Sequence, residues 1–166
     1  SRDGRAFHRM PQRPRLIDRG GVGEWDAGMV FGNGWVEVGQ EWWLYYCGNN
    51  QHHGAQGGVP GIGIARIRKE GFASLRTPAG GGNIVTKLLK WPGGSLRVNA
   101  NLKQTELKIK VTDFQRKPVE DFTEDWSIPV HGDGTELEVK WEGGELAAMQ
   151  GRALRLEFRT EGLADL

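Results

Sequence analysis

The sequence has few of the features that would assign it to a redox, membrane or nucleic-acid-binding class. Its 166 residues include a single cysteine, Cys47, so no disulfide can form within the chain. No apolar run approaches the ~20 residues that a helix needs to cross a bilayer. The formal net charge of +1 gives no overall attraction to nucleic acid or to an acidic membrane surface. We therefore expect neither nucleic acid nor a membrane as a partner.

Glycine and tryptophan, by contrast, are abundant. The chain holds 26 Gly and 7 Trp, and the Gly and Pro residues cluster between short apolar runs. This pattern is typical of many short strands joined by tight turns. No window shows the apolar spacing of an amphipathic helix. The sequence therefore predicts an all-β fold.

One segment, residues 41–47, organises the first half of the chain. Its bulky side chains would alternate between the two faces of a strand. One face would carry Trp43, Tyr45 and Cys47, and the other Trp42, Leu44 and Tyr46. Because both faces are apolar, we expect a strand sandwiched between two layers, with Cys47 as a small core residue. A polar loop rich in amides, histidines and glycines follows, and such loops often build binding sites.

Four consecutive strands are predicted around this segment. They cover residues 25–31, 41–47, 62–67 and 72–75. A four-stranded antiparallel meander with a small-residue first strand and a bulky second strand is typical of one blade of a β-propeller. Such a blade needs a neighbour on each side, and residues 1–10 would form the last hairpin of the preceding blade. We therefore predict a first domain over residues 1–77. The chain begins without Met and ends where a further strand begins, so we expect it to be part of a longer protein.

A glycine-rich break at residues 77–83 precedes a second predicted domain, residues 78–166. Its strands alternate strictly between apolar and polar residues, as in Leu107, Ile109 and Val111, which predicts one buried and one solvated face. Two antiparallel sheets packed as a β-sandwich fit this pattern. The predicted turns are Pro92-Gly93-Gly94, Gly132-Asp133-Gly134 and Gly143-Gly144.

The order of strand signatures resembles that of a known family. The signatures are Ser-Arg-Asp-Gly, Trp-Asp-x-Gly-Met-Val, Glu-x-Trp-x-Tyr-Tyr-x-Gly-x-Asn, Gly-Ile-Gly-Ile-Ala-Arg, Gly-Phe-Ala-Ser-Leu and Asn-Ile-Val-Thr-Lys. This order is similar to that of bacterial five-bladed β-propeller glycosidases related to glycoside hydrolase family 32. In that group a C-terminal β-sandwich follows the propeller. The resemblance covers nearly the whole chain and implies the end of the fourth blade, the fifth blade and the sandwich.

The resemblance also implies what this chain lacks. Family enzymes carry their catalytic carboxylates on the first three blades, which have no counterpart here. Arg2-Asp3-Gly4 differs from the family's Arg-Asp-Pro motif in its third residue. Glycoside hydrolysis needs a pair of acids. We therefore expect a parent glycoside hydrolase, secreted or periplasmic, whose remaining blades are partners of this chain, while the chain alone is inactive.

A substrate-binding site is predicted at one end of the blade. In a meander, the loop before the first strand and the loop between the second and third strands open at the same end; here they are residues 11–24 and 48–61. The predicted site residues are Trp25, Asp26, Asn49, Asn50, His52 and His53. Aromatic faces bind the C–H faces of sugars, and amides or carboxylates bind their hydroxyls. A carbohydrate, either oligosaccharide or polysaccharide, is therefore the expected ligand.

Each of these residues also has a purely structural interpretation. Trp25 could fill the interface between blades, and Asp26 could cap a turn. His52 and His53 point opposite ways on an extended chain and lack a third ligand, so no metal and no other cofactor is expected. Trp126 could be a surface aromatic of the sandwich or part of its packing. A non-catalytic carbohydrate-binding β-sandwich protein, or a structural interaction module, remains an alternative for the whole chain.

Overall fold

The computed structural model describes residues 4–9 and 11–166, and these residues confirm the all-β prediction. The strands are β1 (Met29–Val38), β2 (Glu41–Asn49), β3 (Pro60–Arg68), β4 (Gly82–Val85), β5 (Leu89–Lys90), β6 (Leu96–Thr112), β7 (Val130–Val139) and β8 (Ala153–Thr160). Two 3-10 helices, Glu120–Phe122 and Leu146–Met149, are the helical elements of this part of the chain. Among the described residues no helix has the length and apolar character needed to span a bilayer. The chain divides into two compact units, Ser1–Ile67 and Arg68–Leu166.

The first unit contains a three-stranded sheet in the order β1-β2-β3. Strands β1 and β2 form an antiparallel hairpin in which Val38 pairs with Glu41 and Met29 pairs with Asn49. The turn between them uses Gly39 at φ 59°, in the left-handed region that glycine adopts without a Cβ clash. Strand β2 contains the whole of the predicted segment 41–47, so the organising strand of the sequence is confirmed.

Two strand predictions in this region need correction. Residues 25–28 form turns, and β1 begins only at Met29, because the backbone N–H of Ala27 is bonded to the Glu24 carbonyl instead of a neighbouring strand. Residues 72–75 are not a strand of this sheet. Leu75 instead exchanges two backbone hydrogen bonds with Leu166, at 2.7 and 3.1 Å, within the second unit. The sheet consequently has three strands and not the four predicted.

The hairpin predicted over residues 1–10 falls partly on residues 1–3 and 10, which lie outside the described residues. Residues 4–9 contain a bend at Gly4 and Arg5 and no regular strand.

The two faces of the β1-β2-β3 sheet differ in exposure. Leu44, on one face of β2, is 4% exposed. On the other face Cys47 is exposed, and its partner on β1, Phe31, is 54% exposed. The prediction that Cys47 is a core residue is therefore wrong for this structure, because its face of the sheet is open.

The second unit is built around the 17-residue strand β6. Its first part, from Leu96 to Leu102, pairs mainly with β7, and its second part, from Leu107 to Thr112, pairs with β8. The five strands form one sheet in the order β4-β8-β6-β7, with β5 paired to β8. The predicted pair of sheets is thus a single sheet whose two halves share β6.

Both halves of β6 face one core. The buried side chains change from even to odd positions along β6 because the register shifts between Leu102 and Leu107. In the first half of β6 the buried side chains are Val98, Ala100 and Leu102, at 1 to 9% exposure. In the second half they are Leu107, Ile109 and Val111, each at 0%. The alternation read from the sequence is therefore confirmed, and the shift lets both halves contribute to the same interior.

The prediction of a turn at Gly132-Asp133-Gly134 is wrong, because these residues lie inside β7. They pair with residues 100–102 of β6. Asp133 is held by Lys103 at 3.0 Å and by Arg68 at 2.7 Å. These cations lower the pKa of Asp133, chiefly through the hydrogen bond from Lys103. The dipeptide signal for a turn was overridden by long-range pairing and by this ion-pair network.

Candidate functional site

A tight turn before β1 places two of the predicted site residues. The backbone N–H of Glu24 donates to the Gly21 carbonyl at 3.0 Å, and the Glu24 carboxylate accepts from the Gly21 N–H at 2.7 Å. Arg19 donates from Nη1 to the carbonyl of Gly28 at 3.0 Å and ties the turn to the start of β1. These local hydrogen bonds pair backbone N–H and C=O groups that have no partner in a neighbouring strand, and they hold the turn that carries Trp25 and Asp26.

Trp25 stacks on Tyr46 of β2. Their ring centroids are 5.7 Å apart, and the ring planes differ by 24°. This offset stacking is a favourable aromatic geometry. Trp25 keeps 37% of its surface exposed, so the aromatic pair presents a planar apolar surface to solvent.

Glycines on β2 and β3 make room for these rings. A Cβ at Gly61 would come within 2.5 Å of Trp25, and one at Gly48 within 2.6 Å of the same ring. A Cβ at Gly63 would collide with the Tyr46 ring. Glycine is required at such positions because another chain group lies directly against the backbone. The alternating glycines of β3 therefore form the surface on which the two aromatic rings lie.

Asp26 lies beside this aromatic pair and is only 7% exposed. Tyr46 Oη donates a hydrogen bond to Asp26 Oδ2 at 3.1 Å. Burial raises the pKa of Tyr46, and the hydrogen bond to Asp26 and the charge of Asp26 raise it further. The tyrosine is therefore a neutral phenol that serves as the donor. The hydrogen bond from Tyr46 offsets part of the free energy that burial of the Asp26 carboxyl group costs.

The second Asp26 oxygen, Oδ1, borders Gly20, and so does the carboxylate of Glu24. A Cβ at Gly20 would collide with both groups. The absence of a side chain at this position lets both carboxylates pack directly against the backbone of Gly20. Because Glu24 already accepts the Gly21 N–H, its carboxylate has a structural role in the turn.

The predicted asparagines shape the polar loop. Asn49 Oδ1 accepts the backbone N–H of Gln51 at 2.8 Å, and Asn50 Oδ1 accepts that of Val59 at 2.9 Å. The Asn49 carbonyl accepts the N–H of Gly28 at 2.9 Å, which joins the loop to the turn that carries Trp25 and Asp26. These bonds are typical of amides that stabilise turns by hydrogen bonding to nearby backbone.

His52 and His53 are exposed in the same loop. The His52 carbonyl accepts the N–H of Ala55 at 3.0 Å, so its backbone takes part in a turn. Among the described residues no group of three or more His, Cys, Asp or Glu side chains is arranged to hold a metal ion. The structure thus brings together Trp25, Asp26 and the backbone of Asn49, while the two histidines remain on the loop surface.

Tyr46 is the site residue that sequence reasoning missed. The sequence places it only in the face of a buried strand opposite Tyr45. The signal that could have identified it is the Gly61-Ile62-Gly63 pattern on the next strand, whose missing side chains leave room for large rings. A platform of two aromatic rings beside one carboxylate can bind a ligand that has both apolar C–H faces and hydroxyl groups.

Comparison with protein-family models, with curated proteins and with solved structures finds no match for this chain. The likeness to propeller glycosidases therefore stays a prediction from the order of the strand signatures.

Proposed function

We propose that this chain is the carbohydrate-contacting C-terminal part of a propeller glycoside hydrolase and that it has no catalytic acid pair of its own. The observation that carries the proposal is the exposed Trp25 ring, stacked on Tyr46 beside the buried Asp26. This combination provides both kinds of contact that a neutral sugar requires.

The expected mode of binding follows from the geometry. A sugar ring would place its C–H face on the exposed face of Trp25, where apolar surface is removed from water. One of its hydroxyls would donate to Asp26, which keeps 7% of its surface exposed and whose Oδ2 already accepts from Tyr46. The stacked Tyr46 limits the rotation of Trp25, which lowers the entropy lost when a ligand binds. Asn49, Asn50, His52 and His53 would contact more distant sugar units from the loop.

The exposed face of the β1-β2-β3 sheet supports a parent protein with further blades. Phe31 is 54% exposed, Tyr45 38%, Ile62 77% and Ile64 48%. Contiguous exposed apolar surface of this kind marks an interaction surface. A neighbouring blade would cover it with a second apolar sheet face, and a secreted or periplasmic location is part of the same proposal.

The proposal can be tested by titrating the 166-residue chain with fructan, arabinan and xylan oligosaccharides, using calorimetry. We expect saturable binding to at least one of them, and Trp25→Ala should weaken it about tenfold, the loss of one stacking contact. Asp26→Asn retains the shape of the side chain and should also weaken binding. Trp35→Ala is the matched control, because Trp35 has nearly the same exposure, 39%, on β1.

Two outcomes would contradict this proposal. One is binding that is unchanged in Trp25→Ala and Asp26→Asn variants that fold normally. The other is glycoside hydrolysis by a pure preparation of the chain, since the proposal assigns it no catalytic pair. The complete gene offers a separate check, because blade-like repeats with acidic motifs are expected upstream of this segment.

A further inference from the structure

A second aromatic surface lies in the Arg68–Leu166 unit, on a short strand pairing outside the eight named strands. Ser127 and Trp141 form an antiparallel bridge. The Ile128 N–H donates to the Lys140 carbonyl at 3.0 Å, and the Glu142 N–H donates to the Trp126 carbonyl at 2.9 Å. The backbone on both sides of Ser127 is therefore held in a hydrogen-bonded ladder.

This ladder turns Trp126 and Ile128 outward. Ser127 is only 4% exposed, and its Oγ accepts the backbone N–H of Ile109 at 3.0 Å, so it points inward. Neighbours on a strand face opposite sides. Trp126 and Ile128 accordingly share the outer face and are 46% and 43% exposed. A fixed backbone with an exposed indole is a preorganised platform.

A cleft of about 370 Å³ is lined by Ile128, the neighbour of Trp126 on this outer face. Its walls include Ile128, Glu138, Lys140 and Glu145, and its floor includes the buried Trp141 and Leu146. Lys140 Nζ lies 2.9 Å from a carboxylate oxygen of Glu138. The cleft therefore combines an apolar floor with hydrogen-bonding groups at its mouth.

The charged side chains around the cleft favour neutral ligands over anionic ones. Glu138 and Glu145 line the cleft, Glu142 lies beside Trp126 on the outer face, and Lys140 is the cation among them. Because carboxylates outnumber the ammonium group, phosphate or uronate ligands would be repelled. Carboxylates and an ammonium bind hydroxyl groups, and the indole binds C–H faces.

We propose that Trp126, Ile128 and this cleft form a second binding site for neutral oligosaccharide, independent of the one at Trp25. A protein partner is the competing occupant, and it would not require hydroxyl recognition by the cleft. Two sugar sites on one chain would raise the apparent affinity for a polysaccharide that reaches both, without any change at either site.

The test uses the complete chain labelled with ¹⁵N at its tryptophan indoles, so that each site is read separately. The Trp25 and Trp126 resonances are assigned from Trp→Phe variants. Fructan, arabinan and xylan oligosaccharides are then titrated, with an oligogalacturonate as the anionic arm. We expect a saturable shift of the Trp126 resonance with a neutral sugar and none with the oligogalacturonate.

Variants refine this test. Trp126→Ala should weaken binding at the second site about tenfold, as expected for one stacking contact. Glu145→Gln, which lines the cleft, should weaken it as well. Phe114→Ala is the control, because Phe114 is an exposed aromatic of the same unit, at 63%, and lies outside the ladder that carries Trp126 and Ile128.

The outcomes separate the two proposals. A shift confined to Trp25 overturns the second site and leaves the proposed function standing. A shift confined to Trp126 supports the second site and contradicts the site at Trp25. Shifts at neither residue overturn both, and a Trp126 shift with the oligogalacturonate alone overturns the assignment to neutral sugar.

Discussion

Tyr46 donates a hydrogen bond to Asp26, which lies 20 positions earlier in the chain, at 3.1 Å. The same tyrosine ring supports Trp25 by stacking. One side chain of β2 therefore positions both the aromatic and the acidic component of the candidate site. Changes at Tyr46 should affect the stability of the turn and the binding of ligand together.

Tyr46→Phe should retain the stacking and remove the hydrogen bond. Because the buried Asp26 would lose its hydrogen-bond donor, we expect the free energy of unfolding to fall by about 1–3 kcal/mol. Denaturant unfolding followed by tryptophan fluorescence measures the change. Tyr45→Phe is the matched control, because Tyr45 is 38% exposed and should change stability little. Equal effects of the two variants would show that the hydrogen bond to Asp26 does not stabilise the fold.

Stability should decrease at alkaline pH because of Tyr46. Burial, followed by Asp26, raises its pKa above the ordinary value of about 10. A raised pKa in the folded state gives stability that is complete below the unfolded-state pKa and is lost as pH rises through the folded-state pKa. Urea unfolding from pH 8 to pH 11 should show the advantage of the wild type over Tyr46→Phe shrinking in this range. A constant difference would contradict the raised pKa.

Gly61→Ala should displace Trp25, because the new methyl group would lie within 2.5 Å of its ring. Overpacking of this kind costs about 1–3 kcal/mol. Gly34→Ala in β1 is the control, since a Cβ there has nothing within 4 Å. Thermal melts measure stability, and Trp25 indole chemical shifts measure the position of the ring. If Gly61→Ala leaves both unchanged, the ring does not rest on β3.

Asp165→Asn should weaken the attachment of the C-terminal segment at neutral pH. Arg76 donates from Nε and Nη2 to the two Asp165 oxygens at 2.7 and 2.9 Å, and this bond lowers the pKa of Asp165. A lowered pKa gives stability that is present above the unfolded-state value of about 3.9 and is lost as pH falls through the folded-state pKa.

The thermal midpoint of Asp165→Asn should therefore lie below that of the wild type at pH 7, and the difference should disappear in acid. Asp18→Asn is the control, because the Arg15–Asp18 pair is exposed by 66% and 78% and such pairs contribute little. A pH-independent difference for Asp165→Asn would contradict the role of its charge.

Trp141→Phe should destabilise the second unit. Its Nε1 donates to the Ile109 carbonyl at 2.7 Å inside the core, so the variant leaves a buried carbonyl without its partner and also leaves a gap. We expect a loss of about 1–3 kcal/mol in denaturant unfolding. Trp126→Phe, at a side chain that is 46% exposed, should stay within about 0.5 kcal/mol of the wild type. If Trp126→Phe lost more unfolding free energy than Trp141→Phe, Trp126 would be the core residue of the two.

The strands that carry strong local alternation were predictable. Strand β2 and the buried positions of β6 follow from side-chain period alone, because a strand places successive residues on opposite faces. In β8 the period fails at Glu157, which is 8% exposed and accepts a hydrogen bond from Thr112. The turn at Gly132-Asp133-Gly134 was mispredicted for the opposite reason. Its residues carry strong local turn signals, and the pairing with β6 that overrides them comes from a distant part of the chain.

The candidate site was partly predictable. Trp25 and Asp26 were identified from residue type and from their position at the start of the predicted first strand, residues 25–31. Their contact with Tyr46 was not, because it depends on how the 24–28 turn folds back onto β2. The exposure of Cys47 also required the structure, since apolar residues on both faces of a strand do not reveal whether both faces are covered.

By itself, the sequence determined the all-β class, the strand at residues 41–47 and the faces of β6 that form the core, because all three depend on residues close together in the chain. Only the tertiary structure decided which partners those strands take. Residues 75–77 join the C-terminal segment instead of the first sheet, and Arg76 finds Asp165 89 positions away. Such pairings require the closure of long loops. No local sequence pattern specifies which two distant segments will form hydrogen bonds between their backbone groups.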